Sequence, residues 1–398
     1  MTDASLSFHP LSFLPDRKGA GVVVGRKDSE SFAVLDTDDA ALLERMVGGM
    51  PPDRAAAWYE SEFGLSVDMA DFLATLDELG FLRHSGEPAD DLGPPRLVWL
   101  GQALFSRPAF AVLGVAVVVW LLAIRADPGI VPNPRQVFFT NSLLLVQLLV
   151  LFGQLPWIGL HEACHVLAGR RLGLRSQLGV GVRMYFLVFE TRMNGLLTVP
   201  HQKRYLPILA GLLMDTFAIS SLGLIAFALR NPDGSEPLIG RIALAMAFPI
   251  LVRFAYQFLL FLQTDIYFVV ATATGTYDLH AAAQALIRNQ VWKLLGRSDK
   301  LIDEDQWTAR DLRAARRYAP GYLVGASVMI AIGVLVIVPI LRHIGHLAVI
   351  ALNSSPLHVR FWDTLLFIAL NLIQFAMLGF VAIRQRLLSR RTARQPRP

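Results

Sequence analysis

The chain has 398 residues, of which 54% are hydrophobic and only 17% charged, against roughly 25% charged in soluble domains. That deficit excludes an ordinary water-soluble enzyme and a disordered chain, and a single cysteine excludes a disulfide framework or a Cys-rich metal site. The net charge of +5 hides an asymmetry: residues 1–85 hold seven Lys+Arg against fifteen Asp+Glu, and the remainder holds 30 against 17. An acidic head of net −8 is joined to a basic, apolar body of net +13.

The head, residues 1–85, reads as a small α+β module of winged-helix type. Gly21–Gly25 and Ser31–Leu35 flank a polar turn at Arg26–Glu30 and predict a hairpin. Asp36 or Thr37 caps a helix over Asp38–Val47, which stops at Gly48–Gly49. Pro51–Pro52 opens a second helix, Asp53–Phe63, closed by Gly64. Ser66 caps a third, Val67–Leu79, ended by Gly80, with Phe81–Arg83 as a final strand. Met69, Phe72, Leu73, Leu76 and Leu79 fall on one face of the third helix and form its core stripe. Winged helices often read DNA, but nucleic-acid affinity comes from Lys and Arg neutralising phosphates. A net of −8 with no basic helix face argues against a nucleic-acid partner. Residues 86–107 form a linker, rich in Gly, Pro and Asp over Gly86–Pro95.

The body reads as an all-α polytopic membrane domain over residues 108–383, followed by a basic tail at 384–398. Apolar runs at 108–124, 137–160, 205–229, 242–264, 320–341 and 364–383 each approach the ~20 residues a helix needs to cross a bilayer. The first lies too far from the N-terminus to be a cleavable signal. Asp215 interrupts the third run and Arg253 the fourth, with Asp265 just past its end. The fourth also stays apolar through Ile266–Gly275, which predicts a broken or re-entrant segment there. Lys and Arg crowd segments 170–204, 276–319 and the tail, with seven, eight and six, while the alternate loops 126–136, 230–241 and 342–360 hold one, two and two. Because basic loops stay cytoplasmic, six spans place both termini in the cytoplasm of a multi-pass cell-membrane protein.

The chemistry concentrates at the end of the second run, in His161-Glu162-Ala163-Cys164-His165. In a helix the two histidines lie on one face one turn apart, so both imidazoles reach one metal ion. Glu162 stands beside that face as a proton acceptor for an attacking water. Ionisable residues at such depth are costly and mark function by default. A catalytic zinc site takes three protein ligands, and the motif supplies two. Asp215 and Asp265 are the carboxylates available within or at the end of apolar runs. Asp215 lies about 15 Å into its span at 1.5 Å per residue, whereas Asp265 shares the cytoplasmic level of the histidines. Cys164 reads as a packing residue, and His201, His280, His343, His346 and His358 as interfacial or loop residues. No nucleotide-binding glycine motif occurs.

The head resembles the PqqD-like RiPP recognition element over residues 15–85. The likeness rests on the hairpin and three helices and on Phe32-Ala-Val-Leu-Asp through Asp77-Glu-Leu-Gly-Phe-Leu. That resemblance implies capture of the leader peptide of a ribosomally made, modified peptide, by strand addition to a sheet edge beside the third helix. On the residues alone, an acidic regulatory or packing domain stands beside it.

Residues 140–285 resemble the site-2 protease family of intramembrane zinc metalloproteases, in its peptide zinc metalloprotease subgroup. His161-Glu-Ala-Cys-His-Val-Leu-Ala-Gly-Arg-Arg-Leu-Gly173 is similar to the family's active-site helix and its exit. Ala210-Gly211-Leu-Leu-Met-Asp215 resembles its A-G-P-x-x-N element, with Leu212 for proline and Asp215 in the asparagine position. Gln257 through Asp265-Ile266 resembles N-x-x-P-x-x-x-x-D-G, with Gln257, Leu260 and Ile266 replacing the asparagine, proline and glycine. The resemblance implies Zn2+ held by His161, His165 and Asp265, with Asp215 as the rival ligand or a substrate-side residue. It also implies that Leu178–Thr198 forms a strand-like loop that aligns an extended substrate. The expected function is membrane-embedded peptide-bond hydrolysis with Glu162 as the catalytic base, facing the cytoplasm and acting on a leader or precursor peptide. Two alternatives remain at this stage: cleavage of a transmembrane regulator within the bilayer, and a non-proteolytic peptide-binding or export protein with a structural zinc.

Overall fold

The structure, a computed structural model, describes residues 6–16, 21–29, 31–84, 87, 95–183, 186–353, 355 and 357–392. It divides into two compact units: Met1–Ser106 with Ala163–Leu178 and Thr191–Ala210, and Arg107–Glu162 with Gly179–Glu190 and Gly211–Pro398.

The first unit contains a three-stranded antiparallel sheet, β1 (Leu11–Pro15), β2 (Val22–Arg26) and β3 (Phe32–Leu35), in spatial order β1-β2-β3. Val22-Val23-Val24 suits the central strand, because β-branched side chains pack well on a pleated surface. Its register sets Leu11 opposite Arg26 and Val22 opposite Leu35. After β2, Arg26 forks onto Asp28, Nε to Oδ1 at 3.0 Å and Nη2 to Oδ2 at 2.6 Å, and also donates to the Gly80 carbonyl. Helix α1 (Thr37–Val47) carries Asp38 and Asp39 in its first turn and Arg45 in its last, which matches the helix dipole. Helix α2 (Pro52–Phe63) begins at a proline and ends at Gly64, whose φ of +69° only glycine adopts without strain. Helix α3 (Met69–Glu78) packs Leu76 against Leu11, Val24, Ala40, Leu43 and Phe81.

Three expectations for the head need correction. Strand β1 was not anticipated, because Leu-Ser-Phe-Leu-Pro lacks β-branched residues and pairs only through tertiary context. The third helix starts at Met69 rather than Val67, since the Asp68 carboxylate, not Ser66, accepts from Ala70 and Asp71. Phe81–Arg83 is a single bridge, Leu82 to Phe8, rather than a full strand. The Gly86–Pro95 linker falls outside the described residues except at Glu87 and Pro95. Within the remaining stretch the chain forms a short helix, α4 (Val98–Leu104).

Among the described residues, six helices are long and apolar enough to cross a membrane, the composition of a multi-pass membrane protein. They are α5 (Arg107–Ala126), α6 (Leu143–Arg170), α7 (His201–Leu229), α8 (Leu238–Tyr256), α11 (Ala309–Leu352) and α12 (Val359–Thr392). Between α6 and α7 lies a two-stranded sheet, β4 (Arg175–Arg183) and β5 (Phe186–Asn194), over the expected alternating stretch. Helices α9 (Asp265–Thr274) and α10 (Leu279–Leu294) stand between α8 and α11. Two predicted non-spanning segments are partly helical: α11 runs to Leu352, into the expected 342–360 loop, and α12 reaches Thr392, into the expected tail. Residues 393–398 of that tail lie outside the described residues.

In the second unit, Ala218, Ile219 and Leu222 of α7 interlock with Ala243, Met246, Ala247 and Ile250 of α8. Small residues let such helices approach closely where water supplies no driving force. Asp363 of α12 caps the N-terminus of α6, accepting from the Ser142 hydroxyl and from the Leu143 and Leu144 amides. That bond set fixes the entry of the motif-bearing helix.

In the first unit, α4 packs on the end of α6. A Cβ on Gly101 would run into the Leu167 carbonyl oxygen, and Arg171 donates to the Phe105 carbonyl at 2.8 Å beside it. Gly101→Ala should therefore lower the Tm, because a clash of ~1–3 kcal/mol outweighs the ~1 kcal/mol of helix propensity gained. Gly114→Ala on α5, where an added Cβ meets nothing within 4 Å, is the control and should leave Tm unchanged or higher. Equal shifts in the two variants would refute the close approach.

The Arg26 guanidinium beside Asp28 holds its carboxyl below the usual range. A depressed carboxylate contributes stability above its unfolded pKa of about 4, and loses it as pH falls through the lowered folded value. Asp28→Asn should cost ~1 kcal/mol or less at pH 7, on the scale of a solvent-screened pair. Thermal unfolding at pH 7 and pH 3 should show the gap between wild type and variant closing at the lower pH.

Candidate metal centre

Helix α6 carries His161, Glu162 and His165 at 3%, 9% and 3% exposure. The i, i+4 spacing puts the two imidazoles on one face, as the motif predicts. Cys164, on the next face, is buried and forms no disulfide. Each imidazole is held from behind through Nδ1. His165 Nδ1 lies 2.7 Å from the Pro207 carbonyl of α7, and His161 Nδ1 lies 3.0 Å from Asp215 Oδ2. A carbonyl and a carboxylate can only accept, so partner chemistry assigns the proton to Nδ1 in both rings. Each ring then turns Nε2 to the side opposite its backing group. Such backing groups fix ring orientation and raise ligand basicity.

Asp265 opens α9, just past the end of α8. The fourth apolar run is indeed broken here: α8 stops at Tyr256, a single 3-10 turn covers Leu260–Leu262, and Gln263 takes a positive φ of +54°. Backbone interrupted among apolar helices must find partners within the protein. The Thr264 hydroxyl donates to the Gln257 carbonyl at 2.6 Å, and the Asp265 amide donates to Gln257 Oε1 at 3.1 Å. The Tyr318 hydroxyl donates to the Leu260 carbonyl at 2.9 Å. Gln257 thus braces the carboxylate-bearing turn.

The brace delivers Asp265 Oδ2 to 3.4 Å from His161 Nε2. With Nδ1–H committed to Asp215, that contact sets one lone pair against another. A proton or a cation must lie between them. His161, His165 and Asp265 offer three ligand atoms within 4.8 Å of one another, a grouping that could hold a metal ion. Two imidazoles and one carboxylate suit zinc among the common cations, so the residues fit the expected group.

Asp215 sits elsewhere. It is fully buried, and its oxygens face His161 Nδ1 and Arg253, the ring nitrogen away from Asp265. Arg253 of α8 donates Nε to Oδ2 at 3.2 Å and Nη2 to Oδ1, and the same Nη2 reaches the Trp157 carbonyl at 3.4 Å. Three donors therefore claim this one carboxylate. Sequence reasoning flagged Asp215 and Arg253 separately and did not pair them. The available signal was their opposite sign inside two apolar runs, since buried charges are costly unless paired. It also missed Pro207 and, although Gln257 was singled out, the brace that Gln257 gives Asp265, since both roles rest on tertiary contact. Of the remaining histidines, His201 opens α7, and His280 packs among Tyr267, Tyr318 and Tyr322 with ring centroids 5.3–6.4 Å apart.

Comparison with known proteins finds no matching family model, no matching curated protein and no matching solved structure.

If this grouping holds a metal, purified full-length chain titrated with zinc should bind about one equivalent. His161→Ala, His165→Ala and Asp265→Ala should each lose it. Asp215→Asn should retain stoichiometric zinc with affinity lowered about 10–100-fold, the usual cost of disturbing a ligand's backing group. Zinc kept by folded Asp265→Ala and lost from Asp215→Asn would exchange the two roles.

Proposed function

We propose that the chain is a membrane-embedded zinc metalloprotease of site-2 protease type. In this reading the acidic head captures a peptide, and the leader or precursor of a ribosomally made, modified peptide is the substrate. The observation that carries the reading is the backed pair of imidazoles facing Asp265, with Glu162 adjacent on the same helix. His161, His165 and Asp265 would hold the ion, which supplies Lewis acidity toward the scissile carbonyl and toward water. Glu162 accepts the proton of the attacking water and returns it to the leaving amine. Asp215 and the Pro207 carbonyl keep both imidazoles in the tautomer that directs Nε2, the ligating nitrogen, away from them. Burial of these groups among apolar helices limits the water that reaches them and strengthens their electrostatic interactions.

Hydrolysis needs an extended peptide, because a helix hides its carbonyls in hydrogen bonds. The β4–β5 sheet between the histidine helix and α7 supports delivery of an extended segment. The head is hydrogen-bonded to the end of β5 and the turn that follows. Asn194 Nδ2 donates to the Asp28 carbonyl at 2.9 Å, the Gly195 amide to the Ser29 carbonyl at 2.9 Å, and the Ser12 hydroxyl to the Thr198 carbonyl at 3.4 Å. In the sheet order β1-β2-β3, strand β3 has a partner on one side only within that sheet, which supports peptide capture by strand addition. The distribution of Lys and Arg supports a cytoplasmic placement of both termini and of the site.

Glu162→Gln should retain zinc and lose ~10^2–10^4-fold in peptide hydrolysis, because an amide cannot accept the proton. The assay is single-turnover cleavage of a leader-bearing peptide by reconstituted full-length protein. Undiminished turnover in Glu162→Gln would sink the protease mechanism. Zinc bound with no cleavage of soluble or membrane-spanning peptides by the wild type would favour a peptide-binding protein with a structural zinc.

A further inference from the structure

Asp215 raises a question that the three-ligand grouping does not answer. It is a carboxylate one imidazole away from the grouping, on a helix of that same bundle, and a second carboxylate there is a ready competitor for the ion. What keeps it behind His161 is on the neighbouring helix. Arg253 grips both of its oxygens, Nε on Oδ2 at 3.2 Å and Nη2 on Oδ1, and is itself anchored to the Trp157 carbonyl, one turn before His161 on α6. The planar guanidinium presents its donors in a fixed fork that matches a carboxylate. Held that way, Asp215 keeps Oδ2 on His161 Nδ1 at 3.0 Å.

We propose that Arg253 is a positioning residue of the metal centre, which clamps Asp215 as the backing group of His161 and bars it from becoming a ligand itself. This inference rests on the metal-centre reading above but not on proteolysis. The clamp ties three helices: α8 through Arg253, α7 through Asp215, and α6 through both Trp157 and His161. A neutral side chain at 253 would free the carboxylate to rotate toward the ion, or leave it an uncompensated charge. Either result changes the coordination of the metal rather than only the stability of the bundle. A lysine keeps the charge but offers a point donor in place of a fork, so it should restore the centre in part.

The test uses full-length protein in detergent, loaded with cobalt(II) as a spectroscopic stand-in for zinc. The panel is wild type, Arg253→Gln, Arg253→Lys, Asp215→Asn and the double variant Arg253→Gln/Asp215→Asn. The readouts are metal affinity by competition with a chelator and the cobalt absorption spectrum, neither of which depends on activity. Arg253→Gln should weaken metal binding about 10–100-fold and alter the spectrum, and Arg253→Lys should recover part of both. The double variant, lacking the carboxylate that the clamp restrains, should bind more tightly than the product of the single losses predicts. If Arg253→Gln fails to fold, the same cycle is run with Arg253→Lys. Wild-type affinity and spectrum in a folded position-253 variant, or strictly additive losses, would overturn the proposal. A wild type that binds metal and cleaves nothing would overturn the protease reading while the cycle still decides the clamp. A wild type that binds no metal would overturn both.

Discussion

An ionised carboxylate inside an apolar bundle must be matched by opposite charge and hydrogen-bond donors, and Asp215 is where this structure meets that demand. Removing one partner of such a buried pair typically costs roughly 3–5 kcal/mol, because the other charge is stranded. Asp215 is fully buried between Arg253 and His161, so each of its contacts constrains the other two groups. The orientation of His161 follows from it, and so does the direction of the lone pair that His161 turns toward Asp265. One ion pair between α7 and α8 thus fixes the chemistry presented by α6.

The second constraint is the interruption after α8. A continuous helix would carry Asp265 along the cylinder of α8, two and a half turns beyond Tyr256 at 3.6 residues per turn. The chain instead breaks, takes one 3-10 turn and restarts at Asp265, with Gln257, Thr264 and Tyr318 satisfying the exposed backbone. Unwound backbone among membrane-length helices is tolerated where it lines a site or is buried in protein. Here it sets a carboxylate against an imidazole.

Much of this was legible in the sequence, for identifiable reasons. The six membrane-length helices are announced by apolar runs, a signal that depends on composition alone. The histidine pair is local, since i, i+4 on a helix needs no tertiary knowledge. The break near Asp265 was readable because apolar sequence continued past a charge. What was hidden depends on contacts distant in sequence: the pairing of Asp215 with Arg253, the Pro207 carbonyl behind His165, and strand β1, whose Leu-Ser-Phe-Leu-Pro pairs with β2 despite weak local preference. The start of α3 was misplaced because two acceptable capping residues, Ser66 and Asp68, stand two positions apart, and the carboxylate wins. The ends of α11 and α12 were underestimated because Arg342, His343 and His346 in one, and the Arg-rich stretch from Arg384 in the other, interrupt the apolar run without ending the helix.

The claim on which the account turns is that His161, His165 and Asp265 together ligate one ion. X-ray absorption at the zinc edge on the full-length protein tests it most directly. Ligation by these three residues gives nitrogen and oxygen neighbours only, at about 2.0–2.2 Å, with the outer-shell scattering of two imidazoles. Loss of one light-atom ligand in Asp265→Ala, with both imidazoles retained, would identify the carboxylate where residual zinc remains. A sulfur scatterer near 2.3 Å, which only Cys164 or a methionine could supply, would contradict it, as would a shell without imidazole signature.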